Sequence, residues 1–430
     1  MTSDVRDGPD PLDAPVVVVS CDSHVGPLLE EQLRAYCPPR HLAAFDEFVA
    51  QQRAAQQAAA DGFVYRDDHP NTRVAGHHDI HARLRDMDRE GIAAEVIFHF
   101  SKNGQPLPLV PDPAGGLGTV PADHLEMGAI GLQIYNRWLA DFVSVEPERH
   151  IGLAYLPMWD IDAAVAEVEW AAASGLRGVN FPPPGRAGHL EYNHPDWEPF
   201  WSACEATGMS LHTHSSGGGG ANYFSGPGGQ DILVYECGGW MARRAAWWMT
   251  HGRVFERHPG LRLVITEQYE GWWKATLAEL DAVYQRFSPP HVERLPEPPS
   301  EYLRRNVLLG ASFMSAHLAE DAWRSGYERN VLWGRDYPHD EGTFQVFDDG
   351  EDSISRLSLR HVLSTVPPAA ARLLAGENAV RELGLDAVAL QAVARRIGAP
   401  TGRELATPPA SLPEIDERSN AFRGQAGARL

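Results

Sequence analysis

The chain alternates short apolar runs with helical segments, and this alternation limits its folds more than any other feature. Eight runs rich in apolar and β-branched residues have the length of buried strands. They cover residues 16–20, 92–98, 151–156, 178–181, 209–213, 261–266, 306–310 and 330–334. Strands that alternate with helices predict a parallel sheet, and eight such units predict a (β/α)8 TIM barrel of the α/β class. A doubly wound open sheet is the alternative, although no GxGxxG sequence opens a helix.

The length of 430 residues suits one large α/β domain with insertions. We expect residues 1–14 to form a flexible N-terminal arm and residues 15–398 to form the barrel. Residues 399–430 are expected to be a C-terminal tail that is poorly ordered or packs on a neighbour. The helical pattern of 357–396 predicts a C-terminal helical extension. Three stretches interrupt the alternation and are interpreted as loop insertions, at 27–80, 101–128 and 215–250.

Composition excludes several classes of partner. The formal net charge is −21, and the basic residues are scattered, which argues against nucleic acid and anionic membrane surfaces. No apolar run has the length of a transmembrane helix. The four cysteines show no CxxC spacing, so reduced thiols and a cytoplasmic location are expected. A small-molecule substrate and a homodimer are the partners that fit a barrel of this kind.

The stretch at 331–341 concentrates polar groups after the last predicted strand. An apolar Val-Leu-Trp run ends at Gly334, Asp336 follows, and Pro338 prevents the strand from continuing inside a sheet. Asp336 is therefore expected where a strand becomes a loop, which is where parallel α/β folds carry their chemistry. A carboxylate there can bind a metal or accept a proton from water. A turn-forming aspartate is the alternative interpretation.

Asp22 and His24 directly follow the first predicted strand. They are two residues apart, so on an extended segment their side chains point the same way. Two ligand-type side chains on one face at a strand end indicate a metal site. A surface aspartate beside a helix-capping serine is the alternative.

Histidines and carboxylates end two further strands. His212 and His214 end the fifth strand, and Glu267 ends the sixth. In a barrel these ends converge on one face with the groups after the first and eighth strands. Two imidazoles with two or three carboxylates suit Zn²⁺, Mn²⁺ or Fe²⁺. The predicted ligands are Asp22, His24, His214, Asp336 and Glu267, with His212 beside them near the substrate.

Six short stretches, in order over residues 16–376, form a set. They are DSH at 22–24, LRGV at 176–179, HSSG at 214–217, FERHPGL at 255–261, Glu267 with GW at 271–272, and RDYPH at 335–339. This set resembles the amidohydrolase superfamily, in the branch that includes amidohydrolase-related hydrolases and enzymes like aminocarboxymuconate-semialdehyde decarboxylase.

The resemblance implies roles by position. Asp22 and His24 stand at the paired first-strand ligands, His214 at the fifth-strand ligand, and Asp336 at the eighth-strand ligand that also handles the proton of the metal-bound water. Two positions depart from the family, since the first ligand is often histidine rather than Asp22, and many members carry histidine where this chain has Glu267. The extra carboxylate would suit a second ion, so one ion is expected and two remain open.

The expected function is a metal-dependent hydrolase that uses a metal-activated water on a small acyl substrate: an amide, ester, thioester or a C–C bond next to a carbonyl. Thioesterase activity falls within this class. The alternatives are a non-oxidative decarboxylase of an aromatic or unsaturated carboxylic acid, and a non-catalytic barrel with a degenerate site.

Two further sets of residues complete the hypothesis. Asp336, Glu267 and His339 are the predicted proton-transfer groups, although His339 has a plain alternative as a turn histidine bonded to backbone. An aromatic insertion over the barrel mouth would bury an apolar substrate, or it would only pack the insertion onto the barrel. The predicted substrate-binding residues are His212, Asn222, Tyr223, Phe224, Trp240 and Arg177.

Overall fold

Parallel strands form the centre of the fold. The computed structural model describes residues 11–58, 69–110, 120–184, 190–214, 227–229, 232, 234–269, 271–286, 294–347 and 352–423. Within these residues the strands are β1 (Val19–Ser20), β2 (His24–Val25), β3 (Ala94–His99), β4 (His150–Tyr155), β5 (Gly178–Asn180), β6 (Ser210–Thr213), β7 (Leu263–Ile265), β8 (Val307–Ala311) and β9 (Val331–Trp333). They pair in the order β1-β3-β4-β5-β6-β7-β8-β9, and β2 continues the first position by pairing with β3.

Backbone hydrogen bonds between the first and last strand positions nearly close the sheet. The Cys21 amide donates to the Trp333 carbonyl at 2.8 Å, and the His24 amide donates to the Tyr337 carbonyl at 2.6 Å. The predicted TIM barrel is therefore confirmed. The first strand is shorter than expected because Val16 pairs instead with the carbonyl of Pro400, at 2.9 Å.

Helices surround the barrel, and the last few form the predicted extension. They are α1 (Leu42–Ala58), α2 (Ile80–Glu90), α3 (Leu125–Val143), α4 (Ile161–Ala173), α5 (Glu198–Thr207), α6 (Ala242–His251), α7 (Val254–Arg257), α8 (Trp273–Arg286), α9 (Pro299–Asn306), α10 (Ala316–Ser325), α11 (Ile354–Leu363), α12 (Pro368–Arg372), α13 (Asn378–Glu382), α14 (Ala387–Arg396) and α15 (Gly402–Leu405). Local signals fix several boundaries. Asp79 caps the start of α2, and Gly91 ends it in the left-handed conformation with φ 77°.

One end of the barrel is filled with apolar side chains. The inner cluster contains Val19, Val96, Leu153, Val264 and Leu332 from the strands. Leu390 and Val393 of α14 belong to the same cluster, and they close the end at which the strands begin. At the opposite end, where the strands finish, the buried side chains include polar and charged groups such as Asp22, His24, His214 and Asp336.

The C-terminal tail, predicted at 399–430, is described as far as residue 423. Its described part is packed, because Leu405 and Ala421 are fully buried and α15 begins with a capping box between Thr401 and Glu404. The Ser358 hydroxyl also donates to the Ala421 carbonyl. Sparse apolar anchors in a Pro- and Ser-rich sequence gave no periodic signal for this packing.

The description begins at residue 11, so most of the predicted N-terminal arm, 1–14, lies outside it. No helix among the described residues combines the length and apolar character that a membrane crossing requires.

Candidate metal centre

Four of the predicted ligands meet where the strands end. His24 Nε2 lies 3.2 Å from Asp22 Oδ1 and 3.2 Å from Asp336 Oδ1. His214 Nε2 lies 3.4 Å from the same Asp22 oxygen. All four side chains are buried. Groups from the first, fifth and eighth strand positions thus form one cluster, which we call the metal centre.

Local backbone geometry places the aspartates of the metal centre. Asp22 occupies the break between β1 and β2, and its Oδ2 accepts a hydrogen bond from the Ser312 hydroxyl. Asp336 follows β9 with a φ of 52°, a left-handed conformation that aspartate tolerates better than most residues. The Asp336 amide donates to the Asp22 carbonyl at 3.1 Å. The two ligand-bearing loops therefore hold each other across the barrel seam.

The two histidines that flank Asp336 are oriented by carbonyl groups. His24 Nδ1 donates to the His99 carbonyl at 2.8 Å, which leaves the lone pair on Nε2. His339 Nε2 donates to the Phe100 carbonyl at 2.8 Å, so its Nδ1 lone pair faces Asp336 Oδ1 at 3.0 Å. The two rings stack with centroids 4.0 Å apart. An imidazole lone pair repels a carboxylate oxygen that faces it, unless a proton or a cation lies between the two atoms.

Several buried atoms of the metal centre need such a cation. Asp22 Oδ1, His24 Nε2 and both carboxylate oxygens of Asp336 have no hydrogen-bond partner within the described part of the chain. Burying such groups without compensation costs several kcal/mol. The ligand atoms of Asp22, His24 and His214 lie within 4.8 Å of one another, as do those of His24, Asp336 and His339. A donor set of imidazoles and carboxylates fits a divalent transition metal.

The pKa values reflect the same crowding. Burial opposes ionisation of Asp22, yet His214 and His24 hold its pKa well below the usual range. Burial also opposes charge on His24, but Asp22 and Asp336 raise its pKa to about 10. Burial lowers the pKa of His339 to about 4. Without a cation the centre therefore takes up a proton on His24, whereas His339 is neutral near pH 7.

A second group of carboxylates adjoins the metal centre. Glu267 Oε2 lies 3.6 Å from His214 Nδ1, and burial raises the pKa of Glu267 well above its usual value. Oxygens of Glu267, Asp336 and Glu341 lie within 4.8 Å of one another. Glu341 also forms an ion pair with Lys102. Glu267, the fifth predicted ligand, thus lies next to the metal centre in a group that also contains Glu341.

Sequence reasoning assigned no role to several residues at the site. Lys102 and Ser312 contact its carboxylates from loops after other strands, and Phe98 packs its ring 4.8 Å from that of His214. Glu341 is the one with a usable signal, because it lies two residues after His339 in the polar stretch that follows the last strand. The others gave none.

Other predicted residues lie away from the metal centre. His212 is fully buried deeper in the barrel, where its Nε2 hydrogen bonds with the Ser210 hydroxyl at 2.9 Å. Arg177 precedes β5, at the opposite end from the site, and donates to the Gly384 carbonyl at 2.6 Å. It therefore cannot bind substrate at the metal centre. Trp240 is 52% exposed. Three predicted residues lie outside the described part of the chain: Asn222, Tyr223 and Phe224.

Comparison with known proteins gives matches in sequence and in structure. A family model described as Amidohydrolase matches residues 75–385. The γ-resorcylate decarboxylase of Rhodococcus jostii is 28% identical in an alignment 155 residues long, and the match covers 32% of this chain and 44% of that enzyme. The aligned region therefore spans less than half of this curated relative.

Solved structures match over most of the chain. The 5-carboxyvanillate decarboxylase of Sphingomonas paucimobilis has 20% identity and a TM-score of 0.59, over 86% of this chain and 100% of that one. The corresponding enzyme of Novosphingobium aromaticivorans, solved with bound manganese, has 15% identity and a TM-score of 0.59, over 86% of this chain and 97% of that one. At these identities the likeness shows a shared fold.

Proposed function

Because this chain belongs to the amidohydrolase family, we propose that it is a metal-dependent decarboxylase that removes carbon dioxide from an aromatic carboxylic acid without oxidation. The observation that carries the proposal is the meeting of Asp22, His24, His214 and Asp336 in one buried cluster. The named activities of the similar proteins favour decarboxylation over hydrolysis, which was the main expectation from sequence. Four ligand-type residues in contact argue against a degenerate site.

Each group of the metal centre has a task in this proposal. A divalent cation, when bound, would supply positive charge that binds and orients the anionic substrate. Asp22 and His24 would hold that cation, and the carbonyl of His99 fixes the tautomer of His24.

Decarboxylation also needs a proton at the carbon that loses its carboxyl group. The carbon–carbon bond breaks, carbon dioxide leaves, and the electron pair that remains on the ring carbon takes up a proton. Asp336 and His339 face each other at 3.0 Å and can share that proton. Phe98 adds an apolar wall beside the histidines, which limits access of water.

Isotope labelling tests the proposal directly. Manganese-loaded protein would be incubated with 5-carboxyvanillate and with 2,6-dihydroxybenzoate in D₂O, and the products would be examined by NMR. We expect release of carbon dioxide and one deuterium at the carbon that carried the carboxyl group. The metal-free protein and Asp336→Asn serve as inactive controls.

Hydrolysis is the second candidate, because the same ligands can activate water. Amide, ester and thioester substrates would be supplied in ¹⁸O-labelled water. Incorporation of ¹⁸O into the acid product, with no decarboxylation of either aromatic acid, would replace the proposal with hydrolysis.

A further inference from the structure

The C-terminal segment at 416–423 lies across the loop that carries His339 and Glu341. Asn420 donates two hydrogen bonds to the Glu341 carbonyl, one from its backbone amide at 3.0 Å and one from its side-chain Nδ2 at 2.9 Å. Ser419 donates to the Gly342 carbonyl at 2.8 Å. This segment, the docked segment, thus runs along the face of the barrel where the metal centre lies.

Arg423, at the end of the docked segment, reaches two further loops on that face. Its carbonyl accepts a hydrogen bond at 3.2 Å from Ala316, the first residue of α10 after β8. Its guanidinium carbon lies 5.1 Å from the ring centroid of Tyr269, in the loop after β7. Both loops follow strand ends, so Arg423 lies on the rim of the barrel mouth.

Among the described residues, no anion pairs with the guanidinium of Arg423. The residue is 8% exposed, and its Nη1 is buried without a hydrogen-bond partner among the described residues. No carboxylate in the described part of the chain pairs with it. Arg418, five residues earlier, instead binds Asp416 and Asp340. A buried guanidinium without a counter-ion is unfavourable, and an anionic ligand would relieve that cost.

Tyr269 links Arg423 to the metal centre. It follows Glu267 by two residues, and its ring lies 5.7 Å from that of Phe313. The ring of Tyr269 thus contacts the arginine from the loop that carries Glu267. The ring of Tyr269 lies beside the arginine and that of Phe313 lies beside Tyr269, so the pair offers an aromatic surface to an aromatic substrate.

We propose that Arg423 binds an anionic substituent of the substrate that is remote from the reacting carboxylate, so that the enzyme prefers aromatic acids with a second negative group. The inference rests on the proposed function for its substrate class. Arg423 lies outside residues 75–385, which the family model matches, so the docked segment adds this contact to the common barrel. The planar guanidinium of Arg423 suits bidentate binding of a carboxylate.

Equilibrium binding to the manganese-loaded full-length protein tests the preference without turnover. The probes are isophthalate and terephthalate, each with two carboxylates, and benzoate, which has one. We expect at least one dicarboxylate to bind tenfold or more tightly than benzoate, because hydrogen bonds between charged groups are about twice as strong as those between neutral groups. Arg423→Gln should abolish this preference.

A matched control uses a different arginine of the same C-terminal region. Arg403 pairs with Asp13 on the surface, and Arg403→Gln should keep the preference for dicarboxylates. Equal binding of all three probes by the wild type would overturn the inference, and so would an unchanged preference in Arg423→Gln.

Thermal unfolding without ligand separates binding from a structural role. Removing a buried unpaired charge should leave the melting temperature of Arg423→Gln unchanged or higher. A lower melting temperature together with an intact dicarboxylate preference would make Arg423 a packing residue. Absence of decarboxylation in the labelling experiment would remove the proposed function alone, since the binding preference is measured without reaction.

Discussion

Two buried clusters of ionisable groups in this barrel handle charge in different ways. Beside β3, Glu95 binds Arg83 at 2.5 and 3.0 Å and Arg335 at 3.1 Å, and Arg335 also pairs with Glu90. These four residues, the paired cluster, hold two guanidiniums and two carboxylates, and all are fully buried. In the metal centre, carboxylates instead face imidazole lone pairs. Among the described residues, the charges of the first cluster balance one another, whereas the second cluster needs a cation.

This difference indicates that the paired cluster supports the fold and that the metal centre supports the reaction, although the two clusters are adjacent. Arg335 immediately precedes Asp336, and Arg83 donates to the His24 carbonyl at 2.7 Å. The paired cluster therefore holds the loops that carry two of the predicted metal ligands, His24 and Asp336. We expect damage to the paired cluster to reduce stability, and damage to the metal centre to reduce activity.

The largest expected effect is the loss of activity in Asp336→Asn. Decarboxylation should fall on the order of 10⁴-fold, because the variant loses a ligand and a proton-transfer group together. The circular-dichroism spectrum should stay native, since removing one carboxylate relieves repulsion in the metal-free centre. A collapsed spectrum would show that Asp336 supports the fold, and the contrast between the clusters would fail.

Glu95→Ala should have the next largest effect, on stability. The substitution leaves the guanidiniums of Arg83 and Arg335 buried without their shared carboxylate, which costs about 3–5 kcal/mol. Denaturant unfolding of the metal-free protein measures this loss. A loss of unfolding free energy under about 1 kcal/mol would mean that the fold tolerates unbalanced charge in the paired cluster, so that this cluster is not a main support of the fold.

Removal of the metal should lower the free energy of unfolding by about 2.7 kcal/mol, relative to protein with free metal at a hundredfold excess over Kd. Added Mn²⁺ should restore it. Asp336→Asn should respond much less to the chelator, and Glu95→Ala should respond like the wild type. An equal response in all three proteins would place the bound metal elsewhere.

A smaller effect is expected for an ion pair nearer the surface. Arg396, with help from Arg149, lowers the pKa of Glu146 to about 2, although burial opposes this shift. A depressed carboxylate pKa adds stability above the unfolded pKa of about 4.3, and this stability is lost as the pH falls toward 2. Glu146→Gln should cost about 1 kcal/mol at pH 7 after allowance for solvent screening. The difference from wild type should shrink in unfolding curves at pH 3.

The sequence was sufficient for the barrel and for the centre of the site. Eight apolar runs define the strands, and Asp22, His24, His214 and Asp336 each follow a strand, so the closed sheet brings them together. Position at a strand end is a local property that the sequence carries. Arg177 shows the limit of this reasoning, because it borders a strand but lies where that strand begins.

Contacts made by loops and the tail could not be predicted. Ser312 binds the carboxylate of Asp22 from 290 positions away, and Lys102 reaches Glu341 from another loop. Arg423 is held at the barrel mouth by hydrogen bonds from Ser419 and Asn420 to backbone carbonyls. Bonds to backbone carbonyls require no particular residue in the partner loop, so the sequence does not predict them. The choice between hydrolysis and decarboxylation was also beyond the sequence, because one ligand set serves both reactions.

The backbone hydrogen bond from Asp336 to Asp22 joins the two ends of the strand series. During synthesis Asp22 emerges from the ribosome early and Asp336 late, so a nascent chain carries an incomplete set of ligands for most of translation. The cation can be captured with full affinity only after the eighth strand position docks. We therefore expect a partly made chain, which lacks Asp336, to hold the ion less tightly than the finished barrel.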